Sequence, residues 1–351
     1  MQFRSDNTGP AHPKVLEAIL AANAGYTAPY GDETAMEAVR ARLREIFEAP
    51  EAAVYLVATG TAANALLLST MTQPWQRVFC GTLSHVLIDE CGAVEHATGG
   101  ARLEPVAGPD AKIGIAEFEA ALAAVDPADI HMTQRGPVTI TQVTERGTLY
   151  TLDEIRAIAN LAHAHGSGVH MDGARFANAL VALGCTPAEM TWKAGVDAVS
   201  FGATKNGCLG VEAAILFNPA KAREFELRRK RAAHLFSKHR YLSAQMAAYL
   251  QDDLWLDLAR QSNAAGQGLA RGLRQIPGVT LDYDPAANML FPRWPRVAHR
   301  RLLDAGAAYY PWGDVATGPD DEAVPTRLVC DWSADEGATT RFLDTLRATA
   351  A

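Results

Sequence analysis

Residues 196–210 read VDAVSFGATKNGCLG and combine a strand, a sharp turn and one displayed lysine. Residues 196–201 have the β-branched and aromatic character of a strand, and Gly202 ends it. Lys205 follows among small and polar residues. When such a lysine is partly desolvated it can lose its proton, and the free amine can form a Schiff base with an aldehyde. Taken alone, the pattern also fits an ordinary surface lysine.

Length and charge bound the kinds of protein this can be. The chain has 351 residues, enough for about two domains and a sizeable core. Hydrophobic residues make up 48% and charged residues 21%, as in ordinary soluble globular proteins. The net charge of −8 argues against a nucleic-acid partner, because neutralising phosphates requires clustered Lys and Arg. The basic run at 221–240 also contains Glu224 and Glu226, so we interpret it as the solvated face of a helix.

Cysteine usage and hydropathy indicate the compartment. The five cysteines form no CxxC pair, and their odd number is a poor disulfide framework. The first seven residues lack the apolar stretch of a secretory signal. Residues 52–76 carry no charge, but Thr59, Gly60 and Asn64 interrupt the run, which we interpret as strand, turn and helix. We therefore expect a cytoplasmic protein with no membrane partner.

Strand and helix patterns alternate along the first 250 residues. Such alternation predicts an α/β fold with a mostly parallel sheet covered by helices, whose ligands bind beyond the carboxyl ends of the strands. Asp32 is the expected N-cap of the second helix, and Thr151 with Glu154 forms a capping box for a later one. The predicted strands are 54–57, 77–80, 102–106, 138–143, 168–172 and 196–201.

The pattern changes after about Leu250. A long helix to 273 leads to shorter strand signals at 279–281, 289–291 and 327–330, and then to a terminal helix from about 335. This texture predicts a smaller α+β domain. We expect an N-terminal arm at 1–25, a large domain at 26–250 and a small C-terminal domain at 251–351.

Several chemically useful residues fall at the carboxyl edge of the predicted sheet. Asp172 closes one strand, Lys205 follows another, and Gly60 with Thr61 opens a helix whose N-terminus offers a seat for a phosphate. Each has a plainer interpretation. Thr59 or Thr61 could be only an N-cap, Asp172 could belong to a buried ion pair with Arg175, and His170 could be the hydrogen-bond partner of Asp172.

Together these residues meet the needs of pyridoxal 5'-phosphate. The lysine would hold the aldehyde of the cofactor, and the aspartate would keep its pyridine nitrogen protonated so that the ring acts as an electron sink. Neither a metal site nor a Ser/His/Asp triad accounts for as many residues, so no metal is expected.

The sequence resembles the L-threonine aldolases of the fold-type I pyridoxal-phosphate superfamily. The resemblance implies a large domain with a central sheet and a smaller C-terminal domain. It rests on RSDNT at 4–8, YGDE at 30–33, TGTAAN at 59–64, SHV at 84–86, VHMDGAR at 169–175 and TKNG at 204–207.

By this resemblance, the catalytic residues would be Lys205, Asp172 and His85. Lys205 would be the Schiff-base lysine and Asp172 the partner of the pyridine nitrogen. His85 would stack on the cofactor and handle the proton of the substrate β-hydroxyl, since a histidine titrates near neutral pH. Gly60, Thr61 and Arg240 would hold the phosphate.

The resemblance also assigns substrate-binding and supporting residues. Ser5, Arg175 and Arg327 would receive the substrate carboxylate, since a guanidinium fork fits a carboxylate by two hydrogen bonds, and Arg175 would also border the cofactor. Tyr30 would reach the site of a neighbouring subunit, which implies a homodimer or homotetramer. Glu90 and His170 would support these groups, although Glu90 could equally be a surface residue.

The activity implied is cleavage of the Cα–Cβ bond of L-threonine, L-allo-threonine or related β-hydroxy amino acids such as phenylserine, giving glycine and an aldehyde. Two departures from the family pattern bear on the site. Asp89 stands where many members have an aromatic residue, and FSKHRY at 236–241 replaces a segment often rich in glycine. A β-eliminating lyase, an aminotransferase and a non-catalytic ligand-binding relative remain alternatives.

Overall fold

The structure is a computed structural model that describes residues 1–350. Its helices are α1 Pro13–Ala22, α2 Thr34–Ile46, α3 Gly60–Met71, α4 His85–Ile88, α5 Ala93–Thr98, α6 Ile115–Ala123, α7 Leu152–Ala164, α8 Phe176–Leu183, α9 Pro187–Met190, α10 Ala222–Arg231, α11 Arg240–Leu250, α12 Leu254–Leu273, α13 Arg296–Asp304 and α14 Glu336–Ala350. Its strands are β1 Ala53–Val57, β2 Gln76–Gly81, β3 Arg102–Val106, β4 Gln134–Thr141, β5 Val169–Gly173, β6 Ala198–Gly202, β7 Glu212–Leu216, β8 Thr280–Leu281, β9 Met289–Leu290, β10 Pro292–Pro295, β11 Tyr310–Pro311 and β12 Ala323–Val329.

A seven-stranded sheet forms the centre of the large domain, in the order β1-β7-β6-β5-β4-β2-β3. The neighbours from β3 to β6 pair in parallel, whereas β7 runs antiparallel to both β6 and β1. The predicted mostly parallel sheet is therefore confirmed. The sequence analysis missed β7, whose EAAIL letters include two alanines and little β-branched character.

The register of the central strands aligns their carboxyl ends. Thr141 of β4 pairs with Asp172 of β5, and Asp172 pairs in turn with Ser200 of β6. Because parallel strands that end in register deliver their following loops to one edge, the segments after all three strands meet there. This edge holds the candidate site.

Helices cover both faces of the large sheet. On one face Ile140 and Phe201 belong to a large buried core, and on the other Val57 packs with Leu66 of α3 and Phe225 of α10. No helix within residues 1–350 has both the length and the apolar character needed to cross a membrane.

Two predicted helix starts can be compared with the structure. The capping box of α7 is confirmed, with Thr151 Oγ1 accepting from Glu154 N at 3.2 Å and Thr151 N donating to Glu154 Oε2 at 2.7 Å. The N-cap expected at Asp32 is wrong. Helix α2 begins at Thr34, Glu33 is its N-cap, and the Glu33 side chain is buried against His239 instead of capping the helix.

The C-terminal part builds a second, five-stranded sheet in which all pairs are antiparallel. Its core packs Trp294 and Tyr309 against Phe342 of α14. Helix α12 serves both cores, since Leu258 belongs to the large core and Leu269 to the small one. The domain boundaries proposed from the sequence remain predictions.

The N-terminal segment is attached to the small domain before it reaches the sheet edge. Phe3 N donates to Ala308 O at 2.8 Å, and Val329 N donates to Phe3 O at 2.9 Å. The ring of Phe3 is buried against Phe342 with a centroid separation of 5.0 Å. The residues that follow Phe3 therefore enter the site from the small-domain side.

We expect Gly202→Ala to destabilise the fold, because β5 and β6 approach too closely for a side chain at this position. A β-carbon there would lie 2.6 Å from Ala174 O and 2.7 Å from Gly173 O, and neither backbone carbonyl can move freely. The expected loss is about 1–3 kcal/mol of unfolding free energy, measured by urea unfolding.

Gly268→Ala in α12 is the matched control for this substitution. Its β-carbon would have as neighbour only the flexible end of Arg271, at 3.8 Å. Replacing a helical glycine should then stabilise the protein by roughly 0.5–1 kcal/mol. Equal stabilities of Gly202→Ala and the unsubstituted protein would contradict the close strand approach.

Candidate active site

Lys205 lies on a short 3₁₀ turn, Thr204–Asn206, directly after β6. The side chain is half-buried, and its amine makes no hydrogen bond or ion pair with any residue in 1–350. Burial and the nearby Arg175 guanidinium lower the pKa of Lys205, against the opposing effect of three carboxylates. A partly buried amine without a partner and with a lowered pKa suits a nucleophile.

Asp172 occupies the neighbouring strand end and is buried. Its Oδ1 accepts from Ala174 N at 2.9 Å, and its Oδ2 accepts from the Asn64 side-chain amide at 2.9 Å. Arg175 pairs with Asp6 instead, so the alternative of an Asp172–Arg175 ion pair is wrong. Asp172 is thus held in place by neutral hydrogen-bond donors.

Asn64, in the second turn of α3, connects the site residues. The same Nδ2 that donates to Asp172 also donates to Glu90 Oε1 at 2.9 Å, and Asn64 Oδ1 accepts from Ser200 Oγ at 2.7 Å. The sequence analysis quoted this residue in a motif but gave it no role. A buried asparagine among the alanines and leucines of α3 was the signal that could have identified it.

His85 begins α4, and its Nδ1 lies 2.9 Å from Glu90 Oε1. The Glu90 side chain is fully buried, so the alternative of a surface residue is wrong. The hydrogen bond to Glu90 raises the pKa of His85 above its usual range despite partial burial. The imidazole remains partly exposed and can exchange protons with a ligand.

His85, Glu90 and Asp172 are close enough to share one cation, since their ligand atoms all lie within 4.8 Å of one another. The Asn64 amide, however, donates to both of these carboxylates. Because an N–H donor already lies between the two oxygens, the arrangement fits a hydrogen-bond network better than a metal centre.

His170 supports the site less directly than expected. Its Nδ1 lies 2.9 Å from Thr139 Oγ1 and its Nε2 lies 3.1 Å from Ser200 Oγ, so it does not bond Asp172. Burial lowers the pKa of His170 to about 4, and the ring is therefore neutral. It reaches Asp172 only through Ser200 and Asn64, and the expected direct hydrogen bond is wrong.

Arg175 and Asp6 form a two-point ion pair beside Lys205. Arg175 Nε donates to Asp6 Oδ2 at 2.6 Å, and Arg175 Nη2 donates to Asp6 Oδ1 at 3.0 Å. Burial acts to raise the pKa of Asp6, but the Arg175 charge and hydrogen bond outweigh it and the pKa is lowered overall. Ser5 caps the short turn that carries Asp6, its Oγ accepting from Asn7 N at 3.1 Å.

Arg327 of β12 approaches the same region from the small domain. Its Nη2 donates to Arg4 O at 3.4 Å, and its guanidinium lies 5.0 Å from the centre of the Tyr310 ring. Its Nε is buried and has no partner within residues 1–350. Asp89 acts on this arginine through its charge, so the departure noted at Asp89 lies within electrostatic range of Arg327.

Glu145, in the loop after β4, was missed by the sequence analysis. Its Oε1 accepts from His85 N at 2.8 Å and from Thr141 Oγ1 at 2.7 Å, which fixes the start of α4. Burial raises the pKa of Glu145 to about 7, and the charge of Asp172 adds to this effect. No local sequence pattern marks a lone glutamate in a loop as buried.

The N-terminus of α3 offers free backbone donors. Thr59 is its N-cap, with Oγ1 accepting from Ala62 N at 3.2 Å. The backbone N–H groups of Gly60 and Thr61 have no hydrogen-bond partner within residues 1–350, and no atom lies within 4 Å of a β-carbon built on Gly60. Asn64 is one turn further, about 6 Å along the axis, so this end lies near Asp172.

Arg240 and Tyr30 make their contacts away from Lys205 within one chain. Arg240 Nη1 donates to Ala22 O at 3.0 Å and Gly25 O at 3.0 Å, beyond the end of α1. Tyr30 is exposed, and Lys230 Nζ lies 5.2 Å from the centre of its ring. The roles expected for both residues remain predictions.

Comparison with known proteins places this arrangement in a family. The chain is 37% identical to a low specificity L-threonine aldolase of a Pseudomonas species over 99% of its own length and 97% of the relative. It is also 37% identical to the Pseudomonas aeruginosa protein of that name, over 95% of the chain and 93% of the relative. A Leishmania major threonine aldolase structure superposes with a TM-score of 0.92 at 29% identity, covering 100% of this chain and 99% of that one.

A family model bears on the same question independently. The model described as "Beta-eliminating lyase" matches residues 2–293, which include every predicted site residue except Arg327. Together with the nearly full-length relatives, this match confirms the family resemblance and the fold type expected from the sequence. The chain therefore belongs to the beta-eliminating lyase family, within its threonine aldolase group.

Proposed function

We propose that this chain is a pyridoxal-phosphate-dependent L-threonine aldolase. It cleaves the Cα–Cβ bond of L-threonine, L-allo-threonine and related β-hydroxy amino acids, and it releases glycine and an aldehyde. The observation that carries the proposal is the position of His85. A base with a partly exposed ring, oriented by a buried carboxylate, lies beside Asp172, where removal of a β-hydroxyl proton requires it.

The residues present fit pyridoxal phosphate. Lys205 supplies an unpaired amine for its aldehyde, Asp172 a buried carboxylate for its ring nitrogen, and Gly60 with Thr61 two free N–H groups for its phosphate. When bound, the cofactor supplies an electron sink that accepts the electrons of a bond at Cα. Arg240 is a further phosphate ligand under this proposal, by family analogy.

Substrate binding is assigned to the guanidinium groups near Ser5. Arg327 has an unpartnered Nε, and its charge couples to that of Arg175. Two guanidinium groups facing one region favour a carboxylate between them. By holding the carboxylate, Arg327, Arg175 and Ser5 would orient the Cα–Cβ bond for cleavage.

Proton handling is assigned to His85. Neutral His85 accepts the β-hydroxyl proton as the aldehyde forms, and Glu90 stabilises the imidazolium through the Nδ1 hydrogen bond. The contact between His85 and Glu90 is already present before the proton is transferred, so the two side chains need to move little. Glu145 fixes the backbone of His85 and keeps the ring in place.

An aminotransferase or a β-eliminating lyase would use the same lysine and aspartate on a different bond. Product analysis separates the three activities, because cleavage at Cβ gives glycine and an aldehyde. Transfer of the amino group gives a keto acid, and elimination gives ammonia and pyruvate. The His85–Glu90 pair favours the first, since neither of the other reactions requires a base for a β-hydroxyl group.

We also infer a homo-oligomer in which Tyr30 reaches the neighbouring site. Residues 23–30 are all exposed in the single chain, and Tyr26 is fully exposed. Leu20 on the adjoining α1 is also largely exposed. A continuous exposed segment with aromatic residues is typical of an interface. The free cysteines fit a reducing compartment, and we place the protein in the cytoplasm.

Lys205→Ala should abolish the visible absorption of the cofactor-bound protein and nearly all glycine release from threonine, because the amine that holds the aldehyde is lost. Lys221→Ala is the control, since Lys221 forms only a surface ion pair with Glu224 at 3.4 Å. If Lys205→Ala kept both the absorption and the turnover, the assignment of Lys205 would be wrong.

His85→Asn should retain the cofactor spectrum but lower kcat for threonine cleavage by ~10²–10⁴. His96→Asn, on the exposed surface of α5, should have no such effect.

Glu90→Gln should move the acidic limb of the kcat/KM profile to lower pH. The sign follows because Glu90 raises the pKa of His85, so weakening this contact leaves the base neutral at lower pH. If the acidic limb did not move, the titration that sets it would belong to a group other than His85.

Tyr30→Ala and Lys205→Ala chains should each be nearly inactive alone but should complement each other when mixed after mild dissociation. A mixed dimer contains one site with an intact lysine and an intact partner tyrosine, so random reassociation should restore about a quarter of full activity. The readout is glycine release after gel filtration of the mixture. No recovery, despite mixed dimers, would show that Tyr30 does not serve the partner's site.

A further inference from the structure

Glu212 is a buried carboxylate next to the lysine turn, and none of the roles above uses it. It is the first residue of β7, where it pairs with Gly202 on one side and with Val57 on the other. Only 7% of its surface is exposed. An ionisable side chain in the interior of a sheet is costly unless a specific interaction compensates.

The first interaction of Glu212 is mechanical. Its Oε2 accepts from Ala203 N at 2.8 Å, immediately before the lysine turn. A second hydrogen bond joins the same turn to Val211, the residue directly before Glu212. Thr204 Oγ1 accepts from Val211 N at 3.1 Å. The two residues that directly precede Lys205 are therefore both fastened to the start of β7.

The second interaction is electrostatic. Glu212 forms no ion pair within residues 1–350, and its hydrogen-bond partners, Ala203 N and the Thr204 hydroxyl, are neutral, so no countercharge cancels its charge directly. Among the groups that act on Lys205, burial and Arg175 lower its pKa, while Asp6, Asp172 and Glu212 raise it. The charge of Glu212 therefore favours a proton on the Lys205 nitrogen.

The coupling works in both directions. Burial raises the pKa of Glu212 to about 7, Asp172 acts in the same sense, and Lys205 opposes them. Cys208 and Tyr249 also face Glu212. Burial raises the pKa of both side chains, the charge of Glu212 acts in the same direction, and both therefore stay neutral. As pH rises through 7, Glu212 ionises and its new charge strengthens proton binding at Lys205.

We propose that Glu212 is a positioning residue for Lys205, which fastens the lysine turn through Ala203 N and adds its negative charge to those of Asp6 and Asp172 in favouring a proton on the lysine nitrogen. Lys205 would hold the aldehyde of the cofactor, and the protonation state of its nitrogen would affect how readily a substrate amine could replace it. The inference rests on Lys205 being the cofactor-binding lysine of the proposed function, but not on which substrate bond breaks.

The test is a pH titration of the visible absorption of the cofactor-bound protein, which reports the proton on the nitrogen that joins Lys205 to the cofactor. Glu212→Gln keeps an oxygen that can accept from Ala203 N and removes only the charge. Its midpoint should fall, because an opposite charge that favours the protonated nitrogen is lost. An unchanged midpoint would overturn the proposal and leave Glu212 as an anchor alone.

Two further variants separate charge from shape. Glu212→Asp keeps the charge on a shorter side chain, and its midpoint should stay near that of the unsubstituted protein; a shift as large as that of Glu212→Gln would overturn the proposal. Asp197→Asn is the remote control. Asp197 also anchors backbone, accepting from Val169 N at 2.7 Å, but it lies at the opposite end of β6, so no shift is expected.

A second measurement tests the proposal if Glu212→Gln folds poorly or does not bind the cofactor. In the cofactor-free protein, Lys205 labelling by an amine-selective reagent is followed against pH by peptide mass spectrometry, with Glu212→Met as a second neutral variant. Loss of the charge should shift the labelling midpoint to lower pH, and no shift would overturn the proposal. Threonine cleavage is assayed separately. A shifted midpoint without glycine release would overturn the proposed function and leave this inference standing.

Discussion

A single buried amide, that of Asn64, connects the elements on which the site depends. Its nitrogen donates to Asp172 on β5 and to Glu90 after α4, and its oxygen accepts from Ser200 on β6. The amide lies between two carboxylates that would otherwise face each other, and it holds Asp172 at the strand end and Glu90 against His85.

Three carboxylates at the sheet edge are fixed by neutral donors: Asp172 by Asn64, Glu145 by the backbone of His85 and by Thr141, and Glu212 by Ala203. Because none of these donors is a countercharge, the hydrogen bonds fix the carboxylates without cancelling their charge. The parallel register of β4, β5 and β6 brings them within range of one another.

Much of the fold was predictable because it is encoded locally. Hydrophobic runs, glycines after strands and the capping box at Thr151 predicted the alternating elements, and the strand ends then predicted the neighbourhood of Asp172 and Lys205. Strand β7 was not predictable in this way, because its alanine-rich letters have weak strand preference and its place between β1 and β6 is fixed by pairing.

The site was predictable only in part. The family motifs named Lys205, Asp172, His85 and Glu90, and the structure brings the last three together. Glu145, Glu212 and Asp6 lacked any assigned role, because their importance depends on which distant group each one meets. The roles predicted for Tyr30 and Arg240 remain predictions, because Arg240 contacts backbone carbonyls near the end of α1 and Tyr30 is exposed in the single chain.

The pairing of Arg175 with Asp6 distinguishes two arginines, Arg175 and Arg327, for which the sequence predicted the same role. Both prongs of the Arg175 fork are engaged before any ligand arrives, while Arg327 retains a buried, unsatisfied N–H. If the two arginines bind a substrate carboxylate as proposed, that carboxylate would compete with Asp6 at Arg175 but would meet no competing carboxylate at Arg327 Nε. A ligand that failed to displace Asp6 would then be bound by one guanidinium only, and its orientation would be less restricted.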